Sequence, residues 1–132
     1  MRQPIDTIRI SKQGRDQLTK LRRQTGIEHW NALCRWALCV SFREASAPPA
    51  VADKFDGGVE MSWKVFSGSE SDVFSALCWV RAERDGFPLS GEGVSQCIRA
   101  HIHRGLAYLA SGSGVKSISG LVSRSLQVGH QG

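Results

Sequence analysis

The sequence predicts a mainly α-helical fold: a bundle of four to five helices, with a short N-terminal strand and a short extended segment near 59–66. Three observations predict it. Apolar residues recur at helical spacing in four separate windows. Turn-forming residues punctuate those windows, at Gly26, Pro48-Pro49, Asp56-Gly57-Gly58 and Asp85-Gly86 with Pro88. Two short stretches, 5–11 and 59–66, alternate apolar and polar residues as a strand does. With 132 residues there is room for one domain, expected at 1–112, and a Ser- and Gly-rich tail at 113–132 able at most to form a marginal helix.

In the first stretch Ile8 and Ile10 point one way, and Thr7, Arg9 and Ser11 the other. Ser11 can then cap a helix from about 12 to 25, because its hydroxyl can accept from a backbone N–H of the first turn. Leu18 and Leu21 mark the buried stripe of that helix, and Gly26 stops it. The second helix, about 28–43, is apolar over most of its circumference. Trp30, Leu33, Cys34, Ala37 and Ser41 share one face, and Trp36, Leu38 and Val40 widen it. A helix apolar that far round belongs in a core or at a subunit interface. Trp30, Leu33, Trp36, Ala37 and Val40 are its expected core and subunit contacts.

The connector 46–58 cannot continue a helix through Pro48-Pro49. The following alternation sets Val59, Met61, Trp63 and Val65 against Glu60, Ser62 and Lys64, which reads as a strand or extended arm. Ser69 opens a third helix, with Asp72 in a capping-box-like position. Val73, Phe74, Leu77, Cys78 and Arg81 are expected on its buried side. Ser90 opens a fourth helix with Val94, Cys97, Ile98, His101, Ile102, Gly105, Leu106 and Leu109 as its buried stripe, closed by Gly112.

Charge is distributed unevenly. The net charge of +5 divides into +6 over residues 1–43, −5 over 44–92 and +4 over 93–132. Such polarity suits a polyanionic partner. No apolar run approaches the roughly 20 residues that span a bilayer, and the start MRQPIDTIRI has no apolar signal core. The expectation is therefore a cytoplasmic protein without membrane contact.

Enzyme chemistry finds little support. Cys34 and Cys39 are five apart, so on a helix they point about 140° apart. Cys97 and His101 share a helical face but are half a zinc site at best, with no CxxC-type pair to complete it, and His101 and His103 do not share a face. All four cysteines lie in apolar patterns and read as packing residues. The run GSGVKS at 112–117 lacks the spacing of a phosphate loop. Glu70 and Asp72 read as helix-start charges, and Glu83 and Asp85 as solvated surface. No catalytic group, metal or cofactor is expected.

What remains is the basic N-terminal unit. Its order of strand, helix, helix is that of ribbon-helix-helix DNA binders, in which strands from two chains pair and enter the major groove. Arg9, Lys12, Arg15, Lys20, Arg22 and Arg23 are the candidate phosphate contacts, with Lys20, Arg22 and Arg23 forming a basic knot. Few Asn or Gln residues are arranged to read bases, so sequence preference should be weak.

Three blocks are more specific. The run ISKQGRDQLTKLRRQTGIEHWNALCRWALCVS, then VEMSWKVFSG, then CIRAHIHRGLAYL, resembles the DNA sulfur modification protein DndE family. The resemblance covers roughly residues 8 to 110. It implies a small non-enzymatic subunit of a DNA phosphorothioation complex, forming a homotetramer that binds nicked double-stranded DNA through basic surface residues. The family's contacts are mostly lysines; here the matching helix reads Lys20, Arg22, Arg23, and Lys12 and Arg15 match less closely. The alternative within the same resemblance is a protein adaptor of that complex without DNA contact, using helix 28–43. A cysteine or metal enzyme is the third reading, and the spacings above oppose it.

Overall fold

The computed structural model describes residues 5–52 and 54–111. In chain order they form β1 (Thr7–Ile10), α1 (Lys12–Thr25), α2 (Trp30–Phe42), β2 (Val59–Ser62), α3 (Trp63–Ser67), α4 (Ser71–Asp85) and α5 (Gly91–Ala110). A 3-10 turn at Gly68–Glu70 leads into α4. The fold is mainly helical, with one two-stranded antiparallel sheet.

β1 buries Ile8 and Ile10 completely and turns Arg9 outward, as its alternation requires. The ribbon expected between two chains is made within one. β1 pairs with β2, Ile8 opposite Met61 and Ile10 opposite Val59, so that the apolar residues of both strands share a face. On the other face Arg9 stands opposite Glu60, Nε to Oε2 3.7 Å. Both side chains are more than half exposed, so this pair adds little stability.

Ser11 caps α1, its hydroxyl accepting from Gly14 N–H at 3.1 Å. At the other end Gly26 takes a left-handed conformation, φ 77°, and donates its N–H to the Arg22 carbonyl at 2.9 Å. That conformation needs a residue without Cβ.

α2 begins at Trp30, two residues later than its periodicity predicts. His29 occupies the cap position without a side-chain hydrogen bond. Leu33, Cys34, Ala37, Leu38, Val40 and Ser41 are buried, against α5 above all. At the crossing a Cβ on Gly105 would overlap the Ala37 carbonyl oxygen, so glycine lets the two backbones meet. Trp30 and Trp36 are half-buried at the edge of the core.

The extended reading of 59–66 holds only to Ser62. There the Ser62 hydroxyl accepts from Val65 N–H at 3.1 Å and starts α3. Burial then follows helical spacing: Trp63 and Phe66 are buried, and Val65, which alternation placed inward, is 53% exposed. α4 also departs from expectation. It starts at Ser71, with Glu70 rather than Ser69 at the cap position and no side-chain cap. Ser75, Cys78, Arg81 and Ala82 form its buried side, joined in part by Phe74. Val73 and Leu77 are exposed, and with Val80 they line the outer face of the helix. The small Ser75, Cys78 and Ala82 let α4 approach closely, which turns the larger residues outward.

α5 matches its predicted stripe throughout, and Ser90 caps it through Gly93 N–H at 3.1 Å. It packs on α1, α2, α4 and β1 and so forms the centre of the fold. The expected Gly112 stop, the GSGVKS run and the tail 113–132 lie outside the described residues. None of the described helices is long and apolar enough to cross a membrane.

Candidate nucleic-acid interface

α1 buries Gly14, Leu18, Leu21 and Thr25 along one side. At about 100° per residue, Lys12, Thr19 and Arg23 run along the opposite side, with Arg15 at its edge. Lys20 and Arg22 fall on either flank, roughly 160° apart. The three residues of the supposed knot therefore part company. Lys20 Nζ donates to the Ala110 carbonyl at 2.8 Å, where the cation meets the negative end of α5. Arg22 lies over the Trp30 ring, 5.1 Å from its centroid. Arg23 stays on the outer row.

All six candidate cations are exposed. Arg15 additionally donates to the Gly57 carbonyl at 3.2 Å, which ties the outer row to the turn before β2. Asp16 is exposed within the same row and interrupts it. Lys12, Arg15 and Arg23 are thus the cations that a phosphate backbone laid along α1 would meet first. Arg9 continues the row onto the ribbon, partly offset by Glu60.

A second cluster was not legible in the sequence. Asp85, read there as surface, has a side chain only 1% exposed. Arg81 Nε donates to both of its oxygens, at 3.0 and 3.1 Å. His101 Nε2 lies 2.6 Å from Asp85 Oδ2, and His101 Nδ1 2.8 Å from Ser41 Oγ. Arg104 Nε donates to Ser41 Oγ at 2.8 Å. One tautomer satisfies every member: Ser41 donates to Nδ1, and Nε2–H donates to Asp85. Burial holds His101 down, to about 4, and Arg81 beside it opposes a second positive charge.

The two arginines also close the end of α2. Arg81 donates to the carbonyls of Phe42, Glu44 and Ser46, and Arg104 to those of Ser41 and Ser46. Carbonyls left open at a helix C-terminus are satisfied by cations from α4 and α5. The hint in sequence was Arg81 on the apolar side of its helix, a position that a lone arginine does not take without acceptors.

Asp85, Cys97 and His101 bring together three donor types that zinc accepts, all within 4.8 Å of one another. The sequence showed the last two and missed the first. Arg81 already neutralises Asp85, and burial pushes the Cys97 thiol up to about 12, so a metal would have to displace a proton there. Burial likewise pushes the Cys34 thiol up to about 12 and raises Cys39 and Cys78. Thiols held in this way are poor nucleophiles at neutral pH. At the N-terminus of α1, Ser11 N–H donates to His103 Nε2 at 3.1 Å, while Nδ1 donates to the Arg99 carbonyl at 2.7 Å. Burial lowers His103 and keeps it neutral beside the positive end of the helix.

The fold and its outer cations define a small helical protein, opened by an intrachain ribbon, with a basic face on its first helix. Over residues 7–117 the sequence matches the family model described as DNA sulphur modification protein DndE, and the chain belongs to that family. A solved structure described as DndE from Escherichia coli B7A, involved in DNA phosphorothioation modification, is similar at 23% identity and a TM-score of 0.61. The match covers 79% of this chain and 95% of that one, and at this identity it bears on the fold. No curated protein matches the chain significantly.

Proposed function

We infer that the protein is a non-catalytic DNA-binding subunit of a DNA phosphorothioation system, engaging nicked double-stranded DNA with little sequence preference. The observation that carries this reading is the outer row Lys12, Arg15 and Arg23 on α1, continued by Arg9 and flanked by Lys20 and Arg22. Cations on successive turns of one helix can follow a phosphate backbone. Membership of the family supplies the context of sulfur modification.

Assembly into a homotetramer and docking on other subunits belong to the same reading. Leu33, Ala37 and Val40 of α2 are buried inside the chain and Trp30 and Trp36 are half-buried, while α4 offers a further apolar surface to another subunit. There Val73, Leu77 and Val80 are exposed by 53%, 46% and 67% at successive turns.

The test is fluorescence anisotropy with a nicked duplex across a salt series. Replacing Lys12, Arg15 and Arg23 together with Gln should weaken binding more than about tenfold and flatten the log–log salt slope by roughly three. An unchanged affinity and slope in a folded variant would leave the adaptor reading standing instead.

A further inference from the structure

The arginine-lined hollow beside α2 is used by none of this. A cavity of about 410 Å³ opens between the end of α2 and α5, lined by Val40, Ser41, Arg43, Ser46, Arg104 and Tyr108, among others. That volume falls within the range of about 300–1,000 Å³ that small-ligand sites occupy.

Its chemistry is that of an oxyanion site. Arg43 and Arg104 outweigh Glu44, the one carboxylate on the wall. The hydrogen bonds of Arg104 all go to neutral oxygens, the Ser41 hydroxyl and carbonyl and the Ser46 hydroxyl and carbonyl. They hold the guanidinium rigidly, while Glu44 and Asp85 nearby offset only part of the positive charge it shares with Arg81 and Arg43. Burial first, and then the neighbouring Arg81, lower Arg104 from its usual value, against the opposing pull of Glu44 and Asp85. The end of α2 would ordinarily repel an anion, but its carbonyls are already covered by these two arginines. Ser46 and Tyr108 add hydroxyls to the wall, and Val40, Gly105 and the Tyr108 ring add apolar surface.

The geometry points to a pocket for a phosphate monoester on a nucleoside: the phosphate on Arg104, Arg43 and Ser46, the base or sugar against Tyr108. The fixed charge of Arg104, whose nitrogens already donate to Ser41 and Ser46, attracts a phosphate at short range, and an aromatic ring stacks on any base. The inference goes beyond the α1 reading. A free mononucleotide and the 5′-terminal nucleotide at a nick present the same group, and the latter would give this pocket the nick itself to recognise.

Two measurements separate these sources, both on the full chain. In the first, calorimetry compares thymidine 5′-monophosphate with thymidine. The phosphate should bind at least about tenfold more tightly, the effect of one charge-assisted hydrogen bond; Arg43→Ala should erase the preference, and Tyr108→Ala should weaken both ligands alike. Both positions lie on the rim, so these variants remain informative where Arg104→Ala would also loosen the end of α2. In the second, nicked duplexes carrying a 5′-phosphate, a 5′-hydroxyl or a 3′-phosphate at the nick are compared by anisotropy. A preference for the 5′-phosphate duplex alone, lost in Arg43→Ala but kept in the α1 triple variant, supports the strand-end source. Mononucleotide preference with equal binding of the three duplexes supports a free nucleotide. Equal binding of thymidine and its monophosphate overturns the pocket, whatever the duplexes do. No binding of any duplex by the unmutated chain, with an intact mononucleotide preference, overturns the α1 reading alone.

Discussion

At the residue scale the buried group with the clearest consequence is His101. It accepts from Ser41, donates to Asp85, and is buried near two arginines, so a proton added to it must reverse the Ser41 hydrogen bond and bring a second charge into a buried, already positive spot. Its value is about 4 in the fold against 6.5 for a free histidine. Between those values the unfolded chain binds the extra proton and the folded one does not. This contribution to stability is therefore complete above about pH 6.5 and declines as pH falls toward 4, by up to about 3 kcal/mol. Urea unfolding across that range should show ΔG falling with acidity, and His101→Asn should remove most of the slope. A slope that survives the substitution would assign the effect to another group. Arg81 explains why the sequence concealed this cluster. It lies four residues from Asp85, twenty from His101 and forty from Ser41, and only the packing of three helices brings them together.

At the scale of elements, the crossing of α2 and α5 is fixed by one missing side chain. Gly105→Ala would drive a Cβ into backbone rather than into a movable side chain. The helices must separate, at a cost of about 1–3 kcal/mol or more. Thermal melting should show a clear loss of stability, whereas Ala107→Ser on the exposed side of the same helix should leave the melt within error. The elements also show what the sequence could reveal. β1, α1 and α5 were readable because cap, periodicity and burial agree: Ser11 and Ser90 cap, and Ile8, Leu18 and Ile98 are buried where the spacing put them. α3 was hidden because Val59, Met61, Trp63 and Val65 alternate by chance across a strand and a helix; only the cap at Ser62 breaks the phase. The buried side of α4 was misjudged because size misled. Small Ser75, Cys78 and Ala82 face the core, and Val73 and Leu77 face outward. On the candidate interface, the sequence supplied the six cations, but their division among three directions needed the positions of Ala110 and Trp30.

At the scale of the whole molecule, charge and apolar surface occupy different helices, the cations on α1 and the exposed apolar stripe on α4. Assembly and DNA contact should be separable. Leu77→Asp should shift sedimentation at micromolar concentration toward the monomer while the circular dichroism of the chain stays helical. DNA affinity should then fall through lost multivalency, since each copy keeps its own α1. An unchanged sedimentation coefficient in a wild-type oligomer would remove α4 from the interface.

The clasps between the two ends of the described chain bear on how it is made. Ser11 bonds to His103 across 92 residues, and Lys20 to Ala110 across 90. During synthesis, β1 and α1 leave the ribosome long before α5 exists to cover Ile8, Leu18 and Leu21. Closing such distant contacts costs loop entropy before it returns any energy, which slows folding. The basic helix thus matures last, when α5 arrives, and a chain stopped before Gly91 would have no centre on which to assemble it.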